Sequence, residues 1–389
     1  MTKTLLYASS IALLALTSSC QKSVPGENNG NGTKTPRINS IFPSKAKVGD
    51  TLTAKGQNLP TDLSVIHFLV NNMEAPVILA TPDSIKAVVP KLAGSGKVTL
   101  RVGGNSYIGP TVAYEYAVTV STISDNATFN CPWGLANDKN GDLLVAESYG
   151  RQIRRIQLAD GSISTIDIPI TPGGQNFYSP NSIAVDPVSG VWFLTDFNRH
   201  VLRRDVDGTM NVIYQDSMAL SGIVVSPDGK SLYVGNNTSG SILQMDLNGQ
   251  NAKLIASLIT PRNLQFDAQG HLLAAAYPGP VYDVSATPVP LQLFTNFPDF
   301  HGWEFAVAVN GDIYLADHFV NKIFLWEKGT GNLLTLAGNG DAADVDGSGL
   351  QASFNGPQGI VIGSDGNIYV STYNYDTKGG NKIRRITLQ

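Results

Sequence analysis

A glycine-led apolar strand recurs six times between residues 141 and 372, and this repeat constrains the fold more than any other feature. The six copies read GDLLVAE, GVWFLTD, GKSLYVGN, GHLLAAA, GDIYLAD and GNIYVST. Their leading glycines are Gly141, Gly190, Gly229, Gly270, Gly311 and Gly366. The spacings between them are 49, 39, 41, 41 and 55 residues. A period of about 40 to 50 residues indicates a propeller blade or a solenoid unit.

Apolar strands precede and follow each of these segments, so each unit reads as three strands joined by turns and then a weaker outer strand. The units resemble NHL repeats. The closest are the fifth, with GDIYLADHFVNKI, and the sixth, PQGIVIGSDGNIYVSTYNYDTKGGNKIRRI. The segment AGNGDAADVDGSGLQASFNGP ahead of the sixth unit also resembles the linker between NHL blades. The resemblance implies a β-propeller.

The sixth unit ends at Gln389 after three strands and leaves one sheet edge unpaired. An open edge is a liability that closed folds remove. Residues 117–124, AVTVSTIS, resemble the outer strands of the other units and directly precede the first unit. We therefore predict a six-bladed propeller over residues 117–389, with 117–124 as the closing strand of the last blade.

Residues 36–116 resemble an IPT/TIG domain, because they begin with PRINSIFPSKAKVGDTLTAKGQNL. Short alternating strands with turn signals predict an immunoglobulin-like sandwich for this segment. The predicted fold class is therefore all-β, a sandwich followed by a propeller. We interpret the sandwich as a spacer and the propeller as the functional domain.

The N-terminal segment carries Lys3 and an apolar run that is too short for a normally flanked membrane span. Residues 1–19 are predicted to be a signal peptide. Leu16 to Cys20 resemble a bacterial lipobox, which implies acylation of Cys20 and a membrane anchor; an ordinary secretory signal with an incidental cysteine is the alternative. Residues 20–35 are rich in Gly, Asn and Pro and predict a flexible tether.

The order of tether, spacer and propeller resembles surface lipoproteins of Bacteroidetes glycan-uptake systems. This resemblance implies an outer-membrane lipoprotein of the cell envelope, and leaves open whether it faces the cell surface or the periplasm. The formal net charge is −4 and only 15% of the residues are charged, which disfavours nucleic acid as a partner. Cys131 lies just before an inner strand and is predicted to be a small buried residue rather than a nucleophile.

In a propeller, the loops leading into the inner strands and the turns between the second and third strands surround one funnel, a common place for ligands. Five of the six turns carry an aromatic residue. Aromatic rings beside amide and acid groups suit a sugar, whose C–H faces stack and whose hydroxyls hydrogen-bond. The predicted ligand-binding residues are Trp133, Tyr149, Tyr178, Asn181, Phe197, Arg262, Asn263, Tyr277, His301, Trp303, Glu304, His318 and Tyr373. Tyr277, His301 and Trp303 depart from the repeat, so packing shared by all blades does not require them.

An acid or amide also recurs at the start of four turns, at Glu147, Asp196, Asn236 and Asp317. We interpret these residues as supports that hydrogen-bond the backbone of their own turn.

A pore metal is the alternative to a purely organic site. Glu147, Asn181, Asn263 and Glu304 resemble the oxygen ligands of calcium-dependent six-bladed lactonases. The histidines fall at different repeat positions, which disfavours zinc. Neither a G-x-S-x-G elbow nor a Ser/His/Asp arrangement is present, so no catalytic residue is predicted.

These features favour a non-catalytic, lipid-anchored binding protein without a cofactor, whose funnel takes a glycan or another exported ligand. A metal-dependent propeller lyase or lactonase, with calcium as its cofactor, is one alternative. A scaffold that binds another protein of the envelope is the other.

Overall fold

The computed structural model describes residues 35–123, 129–168, 179–285, 290–293 and 300–389. These residues form strands and two short 3-10 helices, Leu63–Val65 and Gly349–Gln351. The predicted all-β fold class is therefore confirmed. Among the described residues, no helix is long enough and apolar enough to span a membrane. The predicted signal peptide, Cys20 and Tyr178 lie outside the described residues.

Two sheets packed face to face form the first domain. Its strands are β1 (Arg37–Phe42), β2 (Lys45–Ala46), β3 (Thr51–Gln57), β4 (His67–Val70), β5 (Met73–Glu74), β6 (Val77–Thr81), β7 (Ser84–Val88), β8 (Gly96–Val102) and β9 (Asn105–Tyr114). One sheet has the order β1-β3-β7-β6, and the other β2-β9-β8-β4-β5. Alternate residues such as Leu52 and Ala54 of β3 face the shared core with Val98 and Leu100 of β8.

The described residues of the second domain form twenty-five strands. They are β10 (Val118–Thr122), β11 (Pro132–Asn137), β12 (Leu143–Glu147), β13 (Gln152–Ile156), β14 (Ile163–Asp167), β15 (Pro180–Val185), β16 (Trp192–Asp196), β17 (His200–Arg204), β18 (Met210–Gln215), β19 (Leu220–Val225), β20 (Ser231–Asn236), β21 (Ser241–Asp246), β22 (Lys253–Ser257), β23 (Pro261–Phe266), β24 (Leu272–Ala276), β25 (Val281–Asp283), β26 (Leu291–Gln292), β27 (Gly302–Val307), β28 (Ile313–Asp317), β29 (Lys322–Trp326), β30 (Leu333–Ala337), β31 (Gly347–Ser348), β32 (Pro357–Ile362), β33 (Ile368–Tyr373) and β34 (Gly380–Leu388).

These strands form six antiparallel sheets in the described part of the chain, which are the blades of the propeller. Five sheets each take four consecutive strands, from β11–β14 to β27–β30. The sixth has the order β31-β10-β34-β33-β32, with Val118 opposite Leu388 and Thr122 opposite Arg384. The start and the end of the domain are therefore hydrogen-bonded within one sheet, which removes the free edges of an open array.

The leading glycine of each repeat lies in the turn between the first and second strands of its blade. All six have a positive φ, from 67° at Gly229 to 87° at Gly311. L-residues with a side chain reach this conformation only at a cost, which glycine avoids. The repeated glycines are therefore explained by turn geometry.

Second strands of the blades are covered on both faces by neighbouring blades. Each of the five residues of β12 is buried, and the same is true of β28. Between the fifth and sixth blades, Tyr314 and Ala316 pack in one apolar cluster with Ile360 and Val370. Burial of both faces accounts for the continuous apolar runs that the sequence shows here.

The first domain contacts turns of the fifth and sixth blades. Glu327, which follows β29, accepts hydrogen bonds from the backbone N–H of Ser95 at 3.1 Å and from the hydroxyl of Tyr116 at 2.7 Å. In the turn between β27 and β28, Asn310 Nδ2 donates to the carbonyl of Ala93 at 2.7 Å. These turns lie at the ends of the strands opposite to the predicted funnel, so the sandwich leaves the funnel face uncovered.

Candidate functional site

Strand pairing places the loops that lead into the inner strands on the same face as the turns between the second and third strands. Pro132 at the start of β11 lies opposite Glu147 at the end of β12, and Gly302 lies opposite Asp317 in the fifth blade. One group of side chains gathers there around the propeller axis, and we call it the aromatic cluster. It consists of Trp133, Tyr149, Phe197, Arg262, Tyr277, His301, Trp303, His318, Phe319, Tyr373 and Tyr375.

Trp303, at the start of β27, joins the two halves of the cluster. Its ring stacks on Tyr277 with 4.8 Å between centroids and 16° between planes. Its edge contact with Trp133 of the first blade has a centroid distance of 5.0 Å. The indole Nε1 donates to Nδ1 of His318 at 3.0 Å. Trp303 is therefore fixed by contacts from three blades while its side chain stays partly exposed.

Arg262, at the start of β23, lies over two of these rings. Its guanidinium carbon is 3.8 Å from the ring centroid of Trp303 and 5.0 Å from that of Tyr277. These distances define cation–π contacts. Its Nε is buried without a hydrogen-bond partner among the described residues, and burial lowers the pKa of Arg262 to about 10.

Trp133 forms the second centre of the cluster and is buried. Its ring makes edge contacts with Phe197 at 5.2 Å and with Tyr375 at 5.6 Å between centroids. Tyr375 in turn contacts Tyr373 at 5.0 Å, and Tyr373 contacts Tyr149 at 5.7 Å. Rings from the first, second and sixth blades therefore form one connected surface.

The fifth blade adds His301, His318 and Phe319. The ring of Phe319 lies 4.9 Å from that of His301 and 4.2 Å from that of His318. Burial lowers the pKa of His318. Nδ1 of His318 lies 3.0 Å from the Trp303 Nε1 donor and 3.3 Å from the carbonyl oxygen of His301. The shorter contact favours the neutral tautomer that carries its proton on Nε2.

Beneath the rings lies a narrow cavity on the propeller axis, with space for about one water molecule. Trp133, Asn181, Arg262, Trp303 and Glu304 are among the residues that line it. The Glu304 carboxylate accepts a hydrogen bond from the backbone N–H of Ile360 at 3.3 Å. Burial raises the pKa of Glu304 to about 8, so its carboxyl is protonated at neutral pH.

Below this cavity a larger one of about 350 Å³ opens toward the opposite face. Glu304 and Ser182 line both cavities, whereas Asn263 lines only the lower one. In the described part of the chain, Asn263 Oδ1 is buried without a hydrogen-bond partner. Asn263 was predicted to be a funnel residue, but the structure places it deeper along the axis than the rings.

Of the four residues considered for calcium, Asn181, Asn263 and Glu304 line the axial cavities, and Glu147 lies apart from them. Glu147 lines neither cavity and accepts hydrogen bonds from the backbone N–H of Asn130 and from Gln152. Asn181 donates to the carbonyl of Leu220 at 3.1 Å. Among the described residues, no three His, Cys, Asp or Glu side chains are placed to hold a metal.

The repeated turn acids and amides act mainly as backbone supports. Asp196 accepts from the N–H of His200, Asn236 accepts from that of Ser239, and Asp317 accepts from that of Phe319. Glu147 differs, because its backbone partner Asn130 belongs to the loop that leads into the inner strand.

Cys131 packs against Trp133 and Tyr373 and is fully buried. Burial raises the pKa of its thiol to about 12, which keeps it protonated.

Nine of the thirteen predicted ligand-binding residues belong to the aromatic cluster. Asn181, Asn263 and Glu304 lie outside it, and Tyr178 is not among the described residues. The sequence prediction did not include Tyr375 or Phe319. The signal for Tyr375 is the long sixth turn, TYNYDTKGGNK, in which tyrosines alternate with asparagines. The signal for Phe319 is its position directly after His318, in a turn already assigned to this face.

Family models match two parts of the chain. Residues 36–116 match the IPT/TIG domain, so the first domain is of this type. Residues 202–278 match the model described as lactonase, 7-bladed beta-propeller. That match spans about two blades. The described residues of the second domain form six sheets rather than seven.

Solved structures share the architecture over most of the chain. A protein of unknown function from Bacteroides thetaiotaomicron superposes with a TM-score of 0.67 at 19% identity, covering 92% of this chain and 99% of that chain. An auxiliary nutrient binding protein from the same organism has a TM-score of 0.59 at 16% identity, covering 90% and 98%. At these identities the likeness shows a common fold alone.

One curated protein, SUPPRESSOR OF QUENCHING 1, chloroplastic, from Arabidopsis thaliana, is 25% identical over 278 residues. The match covers 64% of this chain and 25% of that protein. The chain thus spans about a quarter of the length of the curated relative it matches.

Proposed function

We propose that this chain is a non-catalytic binding protein of the cell envelope whose aromatic cluster holds a glycan or another exported ligand. The observation that carries the proposal is the junction at Trp303, where rings from several blades meet above a cavity with polar lining. Aromatic faces beside amide, imidazole and guanidinium donors match the alternating apolar and hydroxyl surfaces of a sugar.

The domain arrangement supports the same proposal. The IPT/TIG domain contacts turns at the opposite ends of the strands, through Glu327 and Asn310. In the proposed protein, acylated Cys20 anchors a tether over residues 20–35, and the IPT/TIG domain acts as the spacer that keeps the aromatic cluster away from the membrane. A structural neighbour described as a nutrient binding protein is in keeping with this role.

Calorimetric titration against a panel of oligosaccharides tests the proposal. We expect Trp303→Ala to weaken binding about thirtyfold, because loss of a buried aromatic contact costs about 2 kcal/mol. Tyr282→Ala is the matched control, since Tyr282 is a partly buried ring of the fourth blade outside both cavities. Absence of binding across the panel, or equal losses in the two variants, would contradict the proposal.

A metal-dependent lyase or lactonase is the second candidate, favoured by the lactonase match over residues 202–278 and by Glu304 and Asn263 on the axis. Titration of the purified protein with calcium chloride tests it. Saturable binding that Glu304→Gln abolishes would support this candidate, and a protein that takes up no calcium would oppose it.

A further inference from the structure

Arg262 differs from most interior arginines of the propeller in its lack of an acidic partner. Arg155 Nη2 lies 2.7 Å from Asp138, and Arg203 Nη2 lies 2.6 Å from Asp205. In the described part of the chain, the guanidinium of Arg262 makes neither an ion pair nor a hydrogen bond. The groups that contact it are the aromatic rings of Tyr277 and Trp303. A charge removed from water without a partner is costly.

Neighbouring groups do not supply the missing negative charge. Glu304 lines the same cavity but forms no ion pair with Arg262, and its raised pKa keeps it protonated at neutral pH. His318 is neutral, so it adds no charge. The Asp317 carboxylate is buried and accepts hydrogen bonds from the backbone N–H groups of Phe319 and His301. The cavity lining therefore carries one uncompensated positive charge.

The sixth-blade turn at the outer rim adds little to this balance. Lys378 lies 5.8 Å from the ring of Tyr375, and exposed Asp376 is on the same loop. One cation and one anion at this exposed position largely offset each other, and solvent screens both.

We propose that Arg262 binds an anionic group of the ligand, so that the funnel selects acidic sugars, either uronates or sulfated residues, over neutral ones. This inference rests on the proposed function of glycan binding. The guanidinium fork donates parallel hydrogen bonds to carboxylate or sulfate oxygens, and the partly exposed rings of Trp303 and Tyr277 beside it offer aromatic contacts to the sugar. Protonated Glu304 is a further donor in the cavity beneath.

Matched pairs of oligosaccharides test the inference by calorimetric titration. Each uronate oligosaccharide is compared with its carboxyl-reduced neutral counterpart, and each sulfated one with its desulfated counterpart. We expect the acidic member of at least one pair to bind at least tenfold more tightly than its neutral member. The two kinds of pair distinguish carboxylate from sulfate as the source of the charge.

Variants then assign the selectivity to one side chain. Arg262→Met keeps an apolar chain of similar length and is expected to bring the acidic-to-neutral affinity ratio close to one, because acidic binding weakens more than neutral binding. Arg204→Met is the matched control, because the Arg204 guanidinium also lies over a tryptophan, 4.3 Å from the ring of Trp192, but lines neither central cavity. Arg204→Met is expected to leave the ratio unchanged.

The outcomes separate the two proposals. Equal binding of acidic and neutral members overturns the selectivity at Arg262 and leaves glycan binding in place. Selectivity that survives Arg262→Met also overturns it. Absence of binding for all pairs overturns both the selectivity and the proposed function.

Discussion

Two arginines inside the propeller, Arg384 and Arg262, stand in opposite electrostatic surroundings. Arg384 of the sixth blade has no exposed side-chain surface, and its Nη1 and Nη2 donate to Asp344 at 2.9 Å and to Asp346 at 2.8 Å. Its Nη1 also donates to the carbonyl of Ser353 at 2.8 Å. Arg262 lies among rings and has no acidic partner among the described residues.

This difference distinguishes a charge that is buried for a structural role, at Arg384, from one that is buried for a functional role, at Arg262. The Arg384 network ties the linker that precedes the sixth blade to the closing sheet, and the buried cation has acidic partners within the protein. At the axis, Arg262 and Glu304 line one cavity without forming an ion pair. Unmatched ionisable groups in a cavity are typical of functional sites, because a ligand supplies the missing partner.

The largest effect is expected from breaking the matched network. Arg384→Met leaves Asp344 and Asp346 without their cation, and we expect a loss of about 3 to 5 kcal/mol in the free energy of unfolding, measured by urea denaturation. Arg203→Met, which breaks the partly exposed pair with Asp205, should cost about 1 kcal/mol or less. A loss below about 1 kcal/mol for Arg384→Met would show that the network is not structural.

An intermediate effect is expected from the unmatched acid. Burial raises the pKa of Glu304 from its ordinary value to about 8, so the folded protein holds a proton that the unfolded chain releases. The stabilisation from this proton is fully present at pH values below the pKa of Glu304 in the unfolded chain. It is lost as the pH rises toward 8, and the free energy of unfolding then falls by up to about 1.4 kcal/mol per pH unit. Glu304→Gln cannot ionise, so its stability relative to the parent protein should rise by about 2 kcal/mol or more between pH 5 and pH 8.

Parallel pH profiles of the parent protein and Glu304→Gln would contradict this prediction. Asp312, at the contact between the domains, also has a pKa raised by burial, to about 7. Asp312 is present in both proteins, so its contribution cancels from the difference.

The smallest effect is expected from removing the unmatched cation. Arg262→Met loses cation–π contacts worth about 0.5 to 2 kcal/mol but also removes an unpaired, partly buried charge. We expect the free energy of unfolding without ligand to change by about 1 kcal/mol or less. A loss well above 2 kcal/mol would mean that Arg262 has a structural partner, and would remove the contrast with Arg384.

Much of the architecture was predictable because it follows from local chemistry. The leading glycines occupy turns that require positive φ, as at Gly141 and Gly366, and such a requirement is visible in the sequence. Alternating and continuous apolar runs likewise indicate which strands have one covered face and which have two. The assignment of loops and turns to one face followed from the order of strands in each blade.

The site was predictable only in part, because its contacts join residues far apart in the chain. Position in the repeat placed Trp133 and Trp303 on one face, but not in edge contact at 5.0 Å between centroids. The position of Tyr375 depends on the shape of the longest turn. The role of each predicted residue in ligand binding stays a prediction.

The sequence by itself determined the strands, the turns, the two-domain order and the face on which the loops meet, because backbone conformation and strand burial depend on local residue pattern. Only the tertiary structure decided which charges are matched. Arg384 and Arg262 have the same guanidinium group. Closure of the sixth blade brings two acids to Arg384, whereas convergence of the fourth and fifth blades brings aromatic rings to Arg262. Pairing between distant residues is set by packing, which the local pattern does not record.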